Sequence, residues 1–131
     1  MLRRSHAGRC PGSWETIHGT IEQGETPVQA SLRELREETG LVPDKFYNLS
    51  RTEAFYQHRT EELALIPVFA AFVASSATVR LSAEHDRAEW LSLPQAATRV
   101  AWPRERRALD DILSIVGGGD AGLLEDVLRV S

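Results

Sequence analysis

The pattern of apolar and polar positions divides the chain into a weakly patterned start, one sharply marked helix and a series of short elements after it. Residues 1–13 are rich in Gly, Pro, Ser and Arg and read as irregular. Trp14-Glu15-Thr16-Ile17 fits a short strand that Gly19 ends or bends. Thr26 then suits an N-cap, Pro27 the first helical position and Gly40 a left-handed cap beyond the end. Between them Val28, Leu32 and Leu35 recur at helical spacing, which predicts a helix over 27–39 with that face toward the core. Residues 46–57, with Phe46, Tyr47, Phe55 and Tyr56, alternate as a strand does. The run Leu63 to Val73 predicts a largely buried strand, in which Pro67 points to an edge position or a bulge. Val79–Leu81 and Glu89–Leu91 read as short strands. Pro94-Gln95 opens a small helix, and Pro103 opens another, carrying Leu109, Ile112 and Leu113, which runs to about residue 116. Leu123 to Val130 has room for a last helical turn or two. Strand, helix, several strands and helix in this order predict an α/β (α+β) sandwich with a mixed sheet, in one domain spanning 1–131.

Composition narrows the partners rather than the fold. A chain of 131 residues, 42% hydrophobic and 26% charged, can bury one core as a globular domain. Its net charge of −4 makes nucleic-acid binding by bulk charge an unfavourable reading. One cysteine, Cys10, excludes an internal disulfide framework and a thiolate zinc cluster, so a reducing, cytoplasmic setting is expected. No apolar run approaches the roughly 18 residues of a membrane span, and the charged start has no apolar stretch behind it to make a secretory signal.

The chemistry is concentrated on the predicted helix. Glu34, Glu37 and Glu38 stand at i, i+3 and i+4 and so share a face. Three neighbouring carboxylates repel one another, and the negative end of the helix dipole adds to the repulsion. A divalent cation would relieve it, and carboxylate oxygens are the ligands that Mg2+ and Mn2+ prefer. The alternative for such a run is a solvated face laced by ion pairs, for instance Arg33 with Glu37. Residues 22–38 hold five acids and two arginines, whereas Arg3, Arg4 and Arg9 stand in the first fourteen residues with no acid among them.

The wider spacing decides between these readings. Gly19, five residues, Glu25, seven residues, Arg33-Glu34-Leu35, one residue, Glu37-Glu38, one residue and Gly40-Leu41 resemble the Nudix box of the Nudix hydrolases at every defined position, over residues 19–41. The resemblance implies a Nudix-fold α/β/α sandwich and divalent metal, Mg2+ with Mn2+ as a substitute, held by Glu34, Glu37, Glu38 and the backbone carbonyl of His18. It makes Arg33 the residue that holds cluster and loop in place, Glu25 its ion-pair partner, and Gly19 and Gly40 structural. Trp14 to Gly19 with Gly24 to Pro27 is similar to the branch that cleaves nucleoside and dihydroneopterin triphosphates. Glu84-His85, with Trp90 six residues after Glu84, resembles a downstream element whose glutamate reaches the metal, the alternative being an exposed loop acid. Trp102 and Arg107-Ala108-Leu109 are similar to that branch's final helix.

What the resemblance implies for activity is a pyrophosphohydrolase, cutting a phosphoanhydride bond in a nucleotide-type small molecule. A nucleoside triphosphate giving monophosphate and pyrophosphate leads; diadenosine-polyphosphate and RNA 5′-pyrophosphate hydrolysis are alternatives, as is a binding module that does not cleave. Either Glu37 or Glu34 is the general base. Arg4, and with it Arg3, is the match for a phosphate-contacting arginine, while Trp14, Phe55, Tyr56 and Trp90 are candidates to stack on a base. Only Leu2-Arg3-Arg4 stands where the family carries a full strand or two before the box loop. A sheet lacking its first strand is therefore expected, with an exposed edge that favours homodimerisation.

Overall fold

The computed structural model describes all residues from Met1 to Ser131. Five strands and four α-helices follow one another as β1 (Leu2–Arg4), β2 (Trp14–Glu15), α1 (Pro27–Thr39), β3 (Lys45–Gln57), β4 (Glu62–Phe72), β5 (His85–Ala88), α2 (Leu93–Arg99), α3 (Pro103–Asp111) and α4 (Glu125–Leu128). A π turn, Ile112–Val116, extends α3, and a 3-10 turn, Gly122–Leu124, leads into α4. The expected α+β architecture is present, with its strands shared between two small sheets, one ordered β2-β1-β5 and the other a β3-β4 hairpin. Both sheets pair antiparallel, and the parallel contact is a single bridge between Trp14 and Val100.

The helix that carries the acids is the best specified element. Thr26 Oγ1 accepts from the Gln29 N–H at 3.2 Å while Gln29 Oε1 accepts from the Thr26 N–H at 2.9 Å, a reciprocal cap that fixes where α1 begins. At its other end Gly40 takes φ 70°, a conformation glycine adopts without the steric cost other residues meet, and its N–H donates to the Arg36 carbonyl. Ala30 and Leu35 are buried, with Val28 and Leu32 half-buried beside them.

Two apolar clusters hold the domain. Tyr47 and Leu49 of β3 and Ala70 of β4 pack with Val116, Ala121 and Leu128, so the C-terminal turns close over the hairpin. Ala96, Val100 and Leu109 join α2 to α3, and Ile112 touches both clusters.

Four expectations are corrected. Residues 1–13 are not irregular throughout, since Leu2–Arg4 forms β1, the middle strand of its sheet, paired with both β2 and β5. The run from Leu63 is not largely buried: β4 pairs only with β3, and Leu63 and Leu65 are 75% and 71% exposed. Pro67 sits beside the register shift between Asn48 and Thr52, on this edge strand, where its missing N–H costs no ladder bond. Val79–Leu81 is not a strand, because its backbone groups serve the end of α1: Arg80 N–H donates to the Thr39 carbonyl at 2.8 Å and Ser82 N–H to the Glu38 carbonyl at 3.2 Å. Those carbonyls have no partner within the helix, so the segment caps it. The late strand is His85–Ala88 rather than Glu89–Leu91, since the ladder stops where β1 stops, with Glu89 N–H donating to the Met1 carbonyl.

Candidate active site

The loop entering α1 and the segment capping its end meet at one acidic cleft, lined by His18, Gly19, Thr20, Glu22, Glu34, Glu38 and Glu84. Glu34 and Glu38, four residues apart, face it from α1, and Glu84 is delivered by the Arg80–Ser82 cap. Arg33 organises the entrance. Its guanidinium donates to both Glu25 oxygens at 2.9 and 3.0 Å, to Glu34 Oε1 at 2.7 Å, to Glu37 Oε2 at 3.1 Å and to the Thr20 carbonyl at 2.9 Å. One side chain thereby fixes the loop, the helix and the direction of Glu34. Glu37 lies outside the cleft, exposed and held by Arg33, so the face predicted for three glutamates brings two of them to the site.

Gly19 is required by space. A Cβ there would lie 2.1 Å from Glu34 Cγ and 2.4 Å from its Oε1. The loop can press against the Glu34 side chain only because the residue has none of its own.

The electrostatics single out Glu38. It is 6% exposed, and its Oε2 is buried without a hydrogen-bond partner. Burial, reinforced by the charges of Glu34 and Glu84, pushes its carboxyl up to about 8. Unmet negative charge beside a lone acceptor oxygen is what a small divalent cation satisfies, so the donor set fits Mg2+. Arg33 holds Glu34 and Glu37, and the acidic oxygens do not converge on a single point.

Behind the loop lies a second layer of charge. His18 is among the residues lining the cleft, and its ring lies between Glu105 and Glu15, with Nε2 2.8 Å from Glu105 Oε1 and Nδ1 3.6 Å from Glu15 Oε2. Burial alone would lower the imidazole; its bonds to the two carboxylates outweigh that and raise it to about 9. Burial would likewise raise Glu15, but His18 and His85, with the charge of Arg4, hold it at about 2. Glu15 Oε1 also accepts from Arg4 at 2.8 Å and lies 3.1 Å from His85 Nε2.

The remaining sequence-predicted residues are placed elsewhere. Arg4 is committed to Glu15 and Arg3 to Asp86 at 2.7 Å, and neither lines the cleft. Trp14 carries Arg99 over its ring, 4.9 Å from the centroid. Tyr56 is exposed near the hairpin tip, where its hydroxyl donates to Glu61. Phe55 packs edge-on against Trp102, and Trp90, exposed, borders a larger cavity of about 1260 Å³ between the two sheets. Sequence reading missed Glu105, which sits among Arg104, Arg106 and Arg107 and looks there like any solvated helix acid.

The acidic cleft thus stands on a glycine loop and one helix inside an α+β fold. The chain belongs to the NUDIX domain family, whose model matches residues 1–112. An Ap4A hydrolase from C. elegans, in a binary complex, shares the fold with TM-score 0.72 and 21% identity, covering 89% of this chain and 84% of that one. The dihydroneopterin triphosphate pyrophosphohydrolase of E. coli does so with TM-score 0.70 and 24% identity, over 87% and 84%. In sequence, the chain is 43% identical over 105 residues to a protein of Myxococcus xanthus named octanoyltransferase, covering 76% of this chain and 28% of that protein. The chain thus spans little more than a quarter of that relative's length. No helix is long and apolar enough to cross a membrane.

Proposed function

We propose that the protein hydrolyses a phosphoanhydride bond in a nucleotide-linked compound with Mg2+, for which Mn2+ can substitute. The preferred substrate is a nucleoside triphosphate, cleaved to monophosphate and pyrophosphate. The observation that carries this reading is the cleft in which Glu38 stands buried, unpartnered and crowded by Glu34 and Glu84. Glu34, Glu38, Glu84 and the His18 carbonyl are the groups that would hold the cation, which when bound supplies phosphate neutralisation and a more acidic water. Arg33 keeps Glu34 turned into the cleft. Of the two candidate bases, Glu34 lines the cleft and Glu37 does not, so Glu34 is assigned to take the proton of the attacking water. Glu37 instead steadies Arg33.

The Myxococcus relative's name speaks of acyl transfer, and neither Cys10 nor Lys45 lines the cleft. Cys10 is exposed in the segment before β2, and the Lys45 ammonium donates to the Gly119 carbonyl. The lone exposed cysteine supports a cytoplasmic setting.

A panel of nucleoside triphosphates, diadenosine tetraphosphate and 5′-triphosphorylated RNA, each with Mg2+ and with Mn2+, tests the proposal. Pyrophosphate and monophosphate from a nucleoside triphosphate are expected; silence across the panel with both metals overturns it. Gly19→Ala provides a sharper probe of the geometry. Its methyl group must drive the Glu34 carboxylate out of place, so kcat/KM should fall about 100-fold while the melting temperature stays within about 5 °C. Unchanged kcat/KM in that variant would show that Glu34 does not act from where it stands.

A further inference from the structure

Glu105 lies in the first turn of α3, far along the chain from the box, yet it is among the most buried charged residues, at 3% exposed. An acid so buried needs partners, and all of those it has belong to the loop that enters the cleft. Its Oε1 accepts from the Thr16 N–H at 2.9 Å and the Thr16 hydroxyl at 2.9 Å, and stands 2.8 Å from His18 Nε2. Three contacts converging on one oxygen fix the loop backbone from Thr16 to His18 against α3. His18 itself and Gly19 immediately beyond line the cleft, and Gly19 is packed against the Glu34 side chain. The far side of His18 is held by Glu15, which is itself anchored by Arg4 and His85, so the ring is gripped from two directions. Without Glu105 the loop would keep its tie to Glu15 and to Arg33 through the Thr20 carbonyl, but lose the hold of α3 on Thr16 and the His18 ring.

We propose that Glu105 is a positioning residue for the cation site: through Thr16 and the His18 side chain it holds the His18 carbonyl and the Gly19–Glu34 contact where a divalent ion needs them. This rests on the metal-dependent reading of the cleft. Groups that orient a metal's ligands from behind commonly govern affinity by 10- to 100-fold, and the contacts here are of that kind.

The test is Mn2+ binding to the metal-free full chain by titration calorimetry, alongside activity as a function of Mg2+. Glu105→Gln keeps the size of the side chain and an oxygen for the Thr16 N–H, but weakens the hold on His18. We expect roughly tenfold weaker Mn2+ binding and an equal rise in half-saturating Mg2+, with kcat at saturating Mg2+ reduced far less. Glu105→Asp, which is too short to span the gap, should behave like Glu105→Gln rather than rescue it. Thr16→Val removes one donor without touching the buried charge; its smaller loss of Mn2+ affinity should not add to that of Glu105→Gln, because both act through the same loop. If Glu105→Gln does not fold, Thr16→Val alone decides: weaker Mn2+ binding by a folded protein supports the proposal, and unchanged binding overturns it. Wild-type Mn2+ affinity in a folded Glu105→Gln protein overturns it too, as does a loss confined to kcat. Failure of the functional reading itself looks different: the wild-type chain would then bind no Mn2+, and Glu38→Gln would change nothing.

Discussion

Glu38→Gln should lower kcat by roughly 10³-fold and at the same time make the metal-free protein melt higher at pH 8. The two effects have one origin. Glu38 is almost fully buried, its Oε2 has no partner, and its neighbours Glu34 and Glu84 carry the same charge, so ionising it opposes folding. The amide has nearly the same volume, carries no charge and offers N–H donors to nearby carboxylates. A residue kept for packing would show the reverse signs, with lost stability and little lost activity. Steady-state kinetics on the best substrate of the panel, with melting curves in EDTA, read both quantities. Activity within tenfold of wild type would remove Glu38 from the cation site.

Metal-free protein should also lose stability steadily from mildly acidic to alkaline pH, and Mg2+ should restore it. Glu38 in the folded state sits at about 8, above its ordinary 4.5, so its contribution is full below about pH 4.5 and disappears as pH rises through about 8. His18, raised from 6.5 to about 9, acts in the same direction, its contribution being lost between those values. Glu15, lowered from 4.5 to about 2, acts oppositely: its contribution is present above about 4.5 and is lost as pH falls through about 2. Metal-free stability is therefore greatest near pH 5 and should fall by several kcal/mol, with a Tm drop of about 10 °C or more, by pH 9. Bound Mg2+ replaces the proton on Glu38 as the compensating charge and should recover most of that loss at pH 8. Melting curves from pH 5 to 9, in EDTA and in Mg2+, check this. A profile flat above pH 6, or a decline that Mg2+ leaves untouched, contradicts it.

The helix and its acids were legible in the sequence because every signal there is local. Thr26, Pro27 and Gly40 specify the ends of α1 by their own backbone chemistry, and the spacing of Glu34 and Glu38 sets their common face. What lay beyond was decided by contacts distant in the chain. Val79–Leu81 has the composition of a strand but spends its backbone donors on the α1 C-terminus, a partner about forty residues away. Glu37 was indistinguishable from its neighbours by spacing, yet lies on the Arg33 side of the helix and out of the cleft. Arg3 and Arg4 read as a basic entry for phosphates until Asp86 and Glu15 are seen to claim them. Glu105, the acid behind the loop, had no sequence signal at all, since burial is a property of the assembled fold.

The unpaired edge of β4, with its exposed leucines, has a consequence for handling the protein. A strand of eleven residues with one free side and two exposed leucines offers other copies a ready template for backbone pairing. Heating at high concentration therefore sets refolding of each molecule against strand-to-strand clumping, and the loss of soluble material becomes a matter of rate and crowding rather than of equilibrium alone. A charged side chain at Leu63 or Leu65, remote from the cleft, is the simplest way to lengthen the life of a concentrated stock.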